Sequence, residues 1–183
     1  MYPSRAKFFE MLEREDFRAA AAHKDAGVEK SLVLGAHIEG DPVPDVLRQL
    51  DLTTVPFPPT EDDPPIAVLH LLDYNEIAKY RDGRETTLTG REAMQLYQDG
   101  RASQDVFRLG VRPGLWLEIE GELVGDSREW EKFRVNLFPS RATFASITTT
   151  DSLDDAGVEH RFAALRETYT QLTSPILTEV GYE

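Results

Sequence analysis

The chain contains no cysteine, which excludes disulfides, thiolate nucleophiles, Cys-bound zinc and iron–sulfur clusters together. Basic clusters are missing as well: 20 Lys and Arg stand against 33 Asp and Glu, a formal net charge of -13. Such a field repels phosphate backbones and anionic lipid, so neither nucleic acid nor a membrane surface is expected as a partner. There is no long hydrophobic run. The longest apolar stretch, IAVLHLL at 66–72, falls far short of the roughly 20 residues that a helix needs to span a bilayer. The opening MYPSRAKFFEMLERED has no apolar core of a secretory signal, and a soluble cytoplasmic protein is expected. Catalytic signatures are also wanting, with no GxSxG elbow, P-loop or dinucleotide fingerprint. His23, His37, His70 and His160 show no i, i+4 or His-x-His spacing, so neither a metal nor a cofactor is expected.

What the chain does contain is a repeat. YPSRA at 2–6 returns as FPSRA at 138–142, an offset of 136. DAGVE also occurs twice, at 25–29 and 155–159, but its offset of 130 contradicts the first. The offset of 136 brings His23-Lys24 within one residue of His160-Arg161, and we adopt that frame. Each copy then reads as an aromatic residue, a Pro, a Ser at a helix N-cap and a helix, carrying Phe8 and Met11 in one and Phe144 and Ile147 in the other. Each closes on a strand, SLVLGA at 31–36 or TYTQL at 168–172.

Length and an apolar fraction of 40% suit one main core. Most prolines fall in GDPVPDVLRQLDLTTVPFPPTEDDPP at 40–65, which reads as an extended linker with a short helical turn at Val46–Leu50. Three parts follow: a partial repeat unit at 1–36, a Pro-rich linker at 37–64 and a complete unit at 65–183. In the last, Ile66 to Tyr74 reads as a strand. Thr89 and Glu92 form a capping box opening a helix with Met94 and Tyr97. LWLEIEGELV at 115–124 and WEKFRVNLF at 130–138 form a hairpin about a GDS turn. The order β-α-β-β-α-β is ferredoxin-like, an α+β fold on an antiparallel sheet. The leading fragment is either the remainder of a lost upstream unit or a helix and strand that dock on a sheet edge, since Val33 and Leu34 are too apolar to stand alone.

Alternation divides the sheet's side chains. Leu115, Leu117 and Ile119 share a face with Phe133, Val135 and Leu137, and this apolar set is expected beneath the helices. The opposite, helix-free face then presents Trp116, Glu118, Glu120 and Glu122 against Trp130, Lys132, Arg134 and Asn136, with His70 from the first strand. A histidine, a carboxylate row, two cations and two indoles suit a small-ligand pocket. Trp116 and Trp130 would supply walls, Lys132 or Arg134 would fix an anionic group, Glu118 would complete the binding set, and His70 would act as a catalytic base. The plainer account is a wet sheet face held by cross-strand ion pairs. Arg5 and Arg141 sit in first helical turns, where the dipole disfavours a cation and a carboxylate partner is called for. Asp73, Tyr74, Arg81 and Arg84 lie on or after the first strand, near the mouth of the expected pocket.

VLHLLDYN at 68–75, TGREAMQLY at 89–97, WEKFRVNLFPSRATFASI at 130–147 and FRAAAAHKDAGVEKSLVL at 17–34 together resemble the dimeric α+β barrel superfamily and, within it, the uncharacterised DUF1330-like proteins. The resemblance implies a homodimer with sheets face to face, helices outside and a small organic ligand inside. It departs from that pattern in the extra partial copy. Three functions fit: a small-ligand-binding protein, a cofactor-independent isomerase, lyase or monooxygenase-like enzyme on a small aromatic or carbonyl substrate, and a structural assembly module.

Overall fold

The computed structural model describes residues 4–38, 40, 50–125, 127–149 and 155–174. The elements run α1 (Arg5–Glu13), α2 (Glu15–Gly27), β1 (Val33–Ile38), β2 (Ile66–Tyr74), α3 (Gly90–Asp99), α4 (Arg101–Arg108), β3 (Arg112–Val124), β4 (Lys132–Phe138), α5 (Arg141–Thr149), α6 (Asp155–Ala164) and β5 (Leu165–Thr173). They make an α+β fold whose single five-stranded sheet has the order β1-β3-β4-β2-β5, with every neighbouring pair antiparallel. From β2 to β5 this is the ferredoxin-like arrangement read from the sequence. β1 adds a fifth strand on the outer edge of β3, joining its own chain's sheet and satisfying backbone groups that an edge strand leaves open. The turn expected at Val46–Leu50 lies largely outside the described residues.

Helix starts follow their caps. The Ser4 hydroxyl accepts from the Lys7 backbone N–H at 3.2 Å, and the Ser140 hydroxyl accepts from that of Thr143 at 3.1 Å, so the repeat's serine does the same work twice. At α3 the full capping box forms: the Glu92 N–H donates to Thr89 Oγ1 and the Thr89 N–H to Glu92 Oε2. At α5 the Asp63 carboxylate accepts from the backbone N–H groups of Arg141 at 2.8 Å and Ala142 at 3.0 Å, and the Arg141 guanidinium lies 3.6 Å away. That supplies the partner which a cation in a first turn calls for. Residues 50–65 are therefore no free tether: Val55 is buried, and the Phe57 carbonyl accepts from the hydroxyls of Ser140 and Thr143.

The helices cover the face of the sheet opposite to the one expected. Ile66, Val68, Leu72 and Tyr74 of β2 point toward them, and by register Arg134 lies across from His70 on that same face, with Trp116 beyond it. The core beneath the helices falls into two clusters. One gathers Leu72, Tyr74, Met94 and Ala163; the other gathers Ile66, Val68, Val111 and Phe138, with Phe144 and Ile147 against it. Where α3 and α6 meet the end of β2, a Cβ at Gly90 would collide with the carbonyl oxygens of Asn75 and Ala164. Glycine permits that close approach.

Leu69, Leu71, Leu115, Leu117, Phe133 and Val135 lie in register on the helix-free face and are half-buried; Ile38, Leu137 and Tyr169 beside them are exposed. Placing this apolar set beneath the helices, and the pocket on the bare face, is thus corrected. The polar set goes under the helices because α3 brings charges to meet it.

Candidate functional site

Between the two core clusters, and between the sheet and four helices, lies a cavity of about 590 Å³. β2 contributes His70 and Leu72, and β4 contributes Arg134, Asn136 and Phe138, each pair of neighbours two residues apart as one sheet face requires. The other walls come from Met94 and Tyr97 of α3, Val106 of α4, Phe144 and Ile147 of α5, and Val158, Arg161 and Phe162 of α6. Thr148, Phe162 and Thr170 are exposed and mark the opening. Among the described residues lining it there is no Asp or Glu, although the chain as a whole is strongly acidic.

The polar end is organised around His70. Its Nδ1 lies 3.1 Å from Thr170 Oγ1 on the neighbouring strand. Burial, reinforced by the nearby guanidinium groups of Arg161 and Arg134, lowers its pKa to about 4, so the imidazole is neutral at physiological pH. As a general base near pH 7 it is too weak to be effective, and it lies on the helix-covered face; the catalytic role expected of it is not carried by this geometry. Arg134 is only 6% exposed, donates from Nη2 to Gln98 Oε1 at 3.3 Å, and rests 4.1 Å from the ring centroid of Trp116. Trp116 in turn donates from Nε1 to Asn136 Oδ1 at 3.2 Å. The indole backs the guanidinium and holds it in place.

Glu118 and Lys132 do not reach the cavity. Lys132 Nζ lies 3.0 Å from Glu118 Oε1, and Arg91 of α3 spans Glu118 at 3.2 Å and Glu131 at 2.6 Å. Burial pulls the Glu118 pKa up, but the hydrogen bond and charge of Lys132, with Arg91 behind it, outweigh that and hold the carboxyl below its usual range. These side chains form an ion network beside the cavity. Trp130 is buried under the Arg128 guanidinium, 5.0 Å from its ring centroid, and is no cavity wall either. Of the six residues expected at a site, His70 and Arg134 line the cavity, Trp116 supports it, and Glu118, Lys132 and Trp130 belong to the structure beside it.

Near the opening, Arg81 lies 3.8 Å from the ring centroid of Phe162, itself a lining residue. Asp73 is engaged by Arg166 at 2.6 Å, and Arg84 stacks on Tyr80, whose hydroxyl lies 2.6 Å from His160 Nδ1. Sequence reasoning missed Arg161 as a cavity residue, and α4 as an element. Ala102 and Val106, four apart in RASQDVFR, carried the helical signal for the second. Among the described residues, no helix is long and apolar enough to cross a membrane, and no group of three or more His, Asp or Glu is placed to hold a metal ion.

The chain is similar in structure to the methylated RPA0582 protein, with 30% sequence identity and a TM-score of 0.55 over 70% of this chain and 99% of that one. It is similar too to a crystal structure of the RPA0582 protein of Rhodopseudomonas palustris, a protein of unknown function, at 28% identity and a TM-score of 0.54 over 68% of this chain and all of the other. No protein-family model matches the chain, and no curated protein does.

Proposed function

The chain belongs to the same family as the RPA0582 protein of Rhodopseudomonas palustris, and on that premise we propose that it is a small-ligand-binding protein. The ligand's place is the cavity between sheet and helices, not the helix-free face. The observation that carries this reading is the cavity itself: about 590 Å³, open to solvent on one side and inside the range of roughly 300–1,000 Å³ typical of small-molecule sites. Its lining is mostly apolar, with a few polar side chains among them, His70, Arg134 and Arg161, as small-molecule sites have. Binding is preferred to catalysis because the one imidazole present is neutral and weakly basic.

We also propose, with the dimeric α+β barrel type in mind, that the protein works in the cytoplasm as a homodimer. The second copy would cover the helix-free face, where Leu69, Leu71, Leu115, Leu117, Phe133 and Val135 form an uncharged, registered surface over three adjacent strands. Sheet-on-sheet packing about a two-fold axis matches such a surface to itself.

Native mass spectrometry of gently purified protein tests both statements. The expected result is a dimer carrying non-protein mass that Ile147→Trp, which narrows the cavity, releases while the protein stays folded. Retained mass that survives this substitution would place the ligand elsewhere, and a monomer at all concentrations would remove the dimer.

A further inference from the structure

On the sheet wall of the cavity, two neighbouring side chains have hydrogen-bonding capacity to spare. Asn136 Oδ1 accepts from the Trp116 Nε1–H at 3.2 Å. An indole N–H can only donate, so this contact fixes which way the amide is turned and leaves the Nδ2 hydrogens on its other side. Among the described residues Nδ2 has no partner, although Asn136 lines the cavity. His70 is bound only at Nδ1, which lies 3.1 Å from Thr170 Oγ1; among the described residues its Nε2 has no partner either. A Thr170 hydroxyl that donates to Nδ1 leaves the proton of the neutral imidazole on Nε2. Because Arg134 pairs with His70 and Asn136 with Val68, His70 and Asn136 are diagonal neighbours on one sheet face. Their Cβ atoms are then roughly 7 Å apart, a gap that one oxygen accepting from both at about 2.9 Å can bridge.

Resting on the small-ligand reading above, we infer that Asn136 and His70 select the ligand. The cavity takes an uncharged carbonyl compound, whose oxygen accepts from Asn136 Nδ2 and His70 Nε2. A carbonyl oxygen has two lone pairs and satisfies both groups at once. The amide and the imidazole carry no charge, so they offset the desolvation of a neutral oxygen but not that of an anion. Arg134 has no part in this contact, being held by Gln98 and by the Trp116 ring. The apolar body of the ligand has its place beside the oxygen: Phe138, two residues beyond Asn136 on β4, begins a wall that Phe144 and Ile147 continue.

Acetophenone and α-methylstyrene test this, since they share a shape and differ only in an oxygen against a methylene. A merely apolar wall binds the hydrocarbon more tightly, because the ketone gives up its hydration without return. Titration of isotope-labelled full-length protein at pH 7, followed by proton–nitrogen NMR, should instead show acetophenone binding about fivefold more tightly, as one net hydrogen bond supplies. It should also shift the side-chain amide signals of Asn136. Asn136→Asp identifies those signals by their loss; it keeps an oxygen for Trp116 and removes the donor, so in it α-methylstyrene should become the tighter ligand. Circular dichroism checks the fold of the variant, and the comparison of the two probes on the unaltered protein needs no variant at all. Equal binding, or tighter binding of α-methylstyrene, by the unaltered protein overturns the carbonyl inference and leaves the cavity as a site for apolar molecules. Binding of neither overturns the inference and the small-ligand reading together. An acetophenone preference that persists in Asn136→Asp, or that comes without a shift of the Asn136 amide signals, places the carbonyl elsewhere and overturns the assignment.

Discussion

The two copies of the aromatic-Pro-Ser-Arg-Ala unit start the same helix and then part company. α1 and α5 open at corresponding residues, Arg5 and Arg141, and are of equal length. Each is capped by the repeat's serine, and each leads through a second helix into a strand. Yet α1 and α2 contain no buried residue, whereas Ser140, Thr143, Ala163 and Ala164 in and around α5 and α6 are buried. The strands differ likewise: β5 pairs with β2 inside the ferredoxin-like unit, and β1 pairs with β3 on the opposite side of the sheet. Local signals decide that a helix forms and where it starts, but only the surface beneath it decides whether it is held. The repeat's substitutions record the surface each copy meets. Thr143 and Ser146 correspond to Lys7 and Glu10, an exposed pair joined at 2.6 Å.

Exchanging those residues breaks the comparison most sharply. Thr143 is fully buried, and Thr143→Lys would force a charge into a site built for a hydroxyl, at a cost of about 3–5 kcal/mol, enough to unfold many domains of this size. The reciprocal Lys7→Thr should change stability by less than about 0.5 kcal/mol. Urea denaturation of both variants measures the asymmetry, and similar losses in the two would show that the copies are equally well packed.

A difference of about 3 kcal/mol is expected from pH. His70, whose strand is held by β5 of the second copy, has a folded-state pKa of about 4 against roughly 6.5 in the unfolded chain. The unfolded state therefore binds the proton more readily between those values. The contribution of His70 is complete above about pH 6.5 and is lost as pH falls toward 4. Stability curves at pH 7 and pH 4.5 should converge in part for His70→Gln, and a variant as acid-sensitive as its parent would show that the proton is taken up elsewhere.

Phe144 and Phe8 are also equivalent positions. Phe144 packs edge-to-face on Phe138 at 5.5 Å and against the core cluster of Ile66 and Val68, while Phe8 meets the ring of Phe9 at 5.8 Å on an exposed helix pair. Phe144→Ala should cost about 2–3 kcal/mol, and Phe8→Ala less than about 1. Thermal unfolding of the pair of variants reads the difference, with equal shifts counting against it.

The order of elements was legible because its signals are local: the Thr89–Glu92 box, the alternation of Ile66 to Tyr74, and the serine before each repeated helix. Parity also grouped His70, Trp116 and Arg134 correctly on one face. It does not say which face the helices take, and hydrophobicity misled because the more apolar side is the bare one. The telling residues were Arg91 and Gln98, seven apart on α3, which meet Glu118 and Arg134 respectively. A helix that presents a cation and an amide at that spacing is built to lie on a polar sheet. Arg161 was not legible as a cavity residue, since its place depends on how α6 crosses the sheet, a tertiary fact that no local pattern encodes.

The smallest expected difference lies in the serines themselves, and it separates capping from packing most cleanly. Ser4 and Ser140 make the same cap, with their hydroxyls accepting from the third residue's N–H at 3.2 and 3.1 Å. Ser140 is also buried, and its hydroxyl donates to the Phe57 carbonyl at 3.0 Å, tying α5 to the proline-rich stretch. Ser4→Ala removes a cap alone, worth about 0.5–1 kcal/mol. Ser140→Ala removes the cap and the stronger of two hydroxyl donors to the Phe57 carbonyl, leaving Thr143 Oγ1 at 3.3 Å, so the loss should reach about 1.5–2 kcal/mol. The excess belongs to residues 50–65 rather than to the helix. In a Ser140→Ala, Thr143→Val double variant the Phe57 carbonyl loses both hydroxyls, so the combined loss should exceed the sum of the two single losses. Strict additivity in that cycle would mean that the proline-rich stretch is held by Val55 and Asp63 alone.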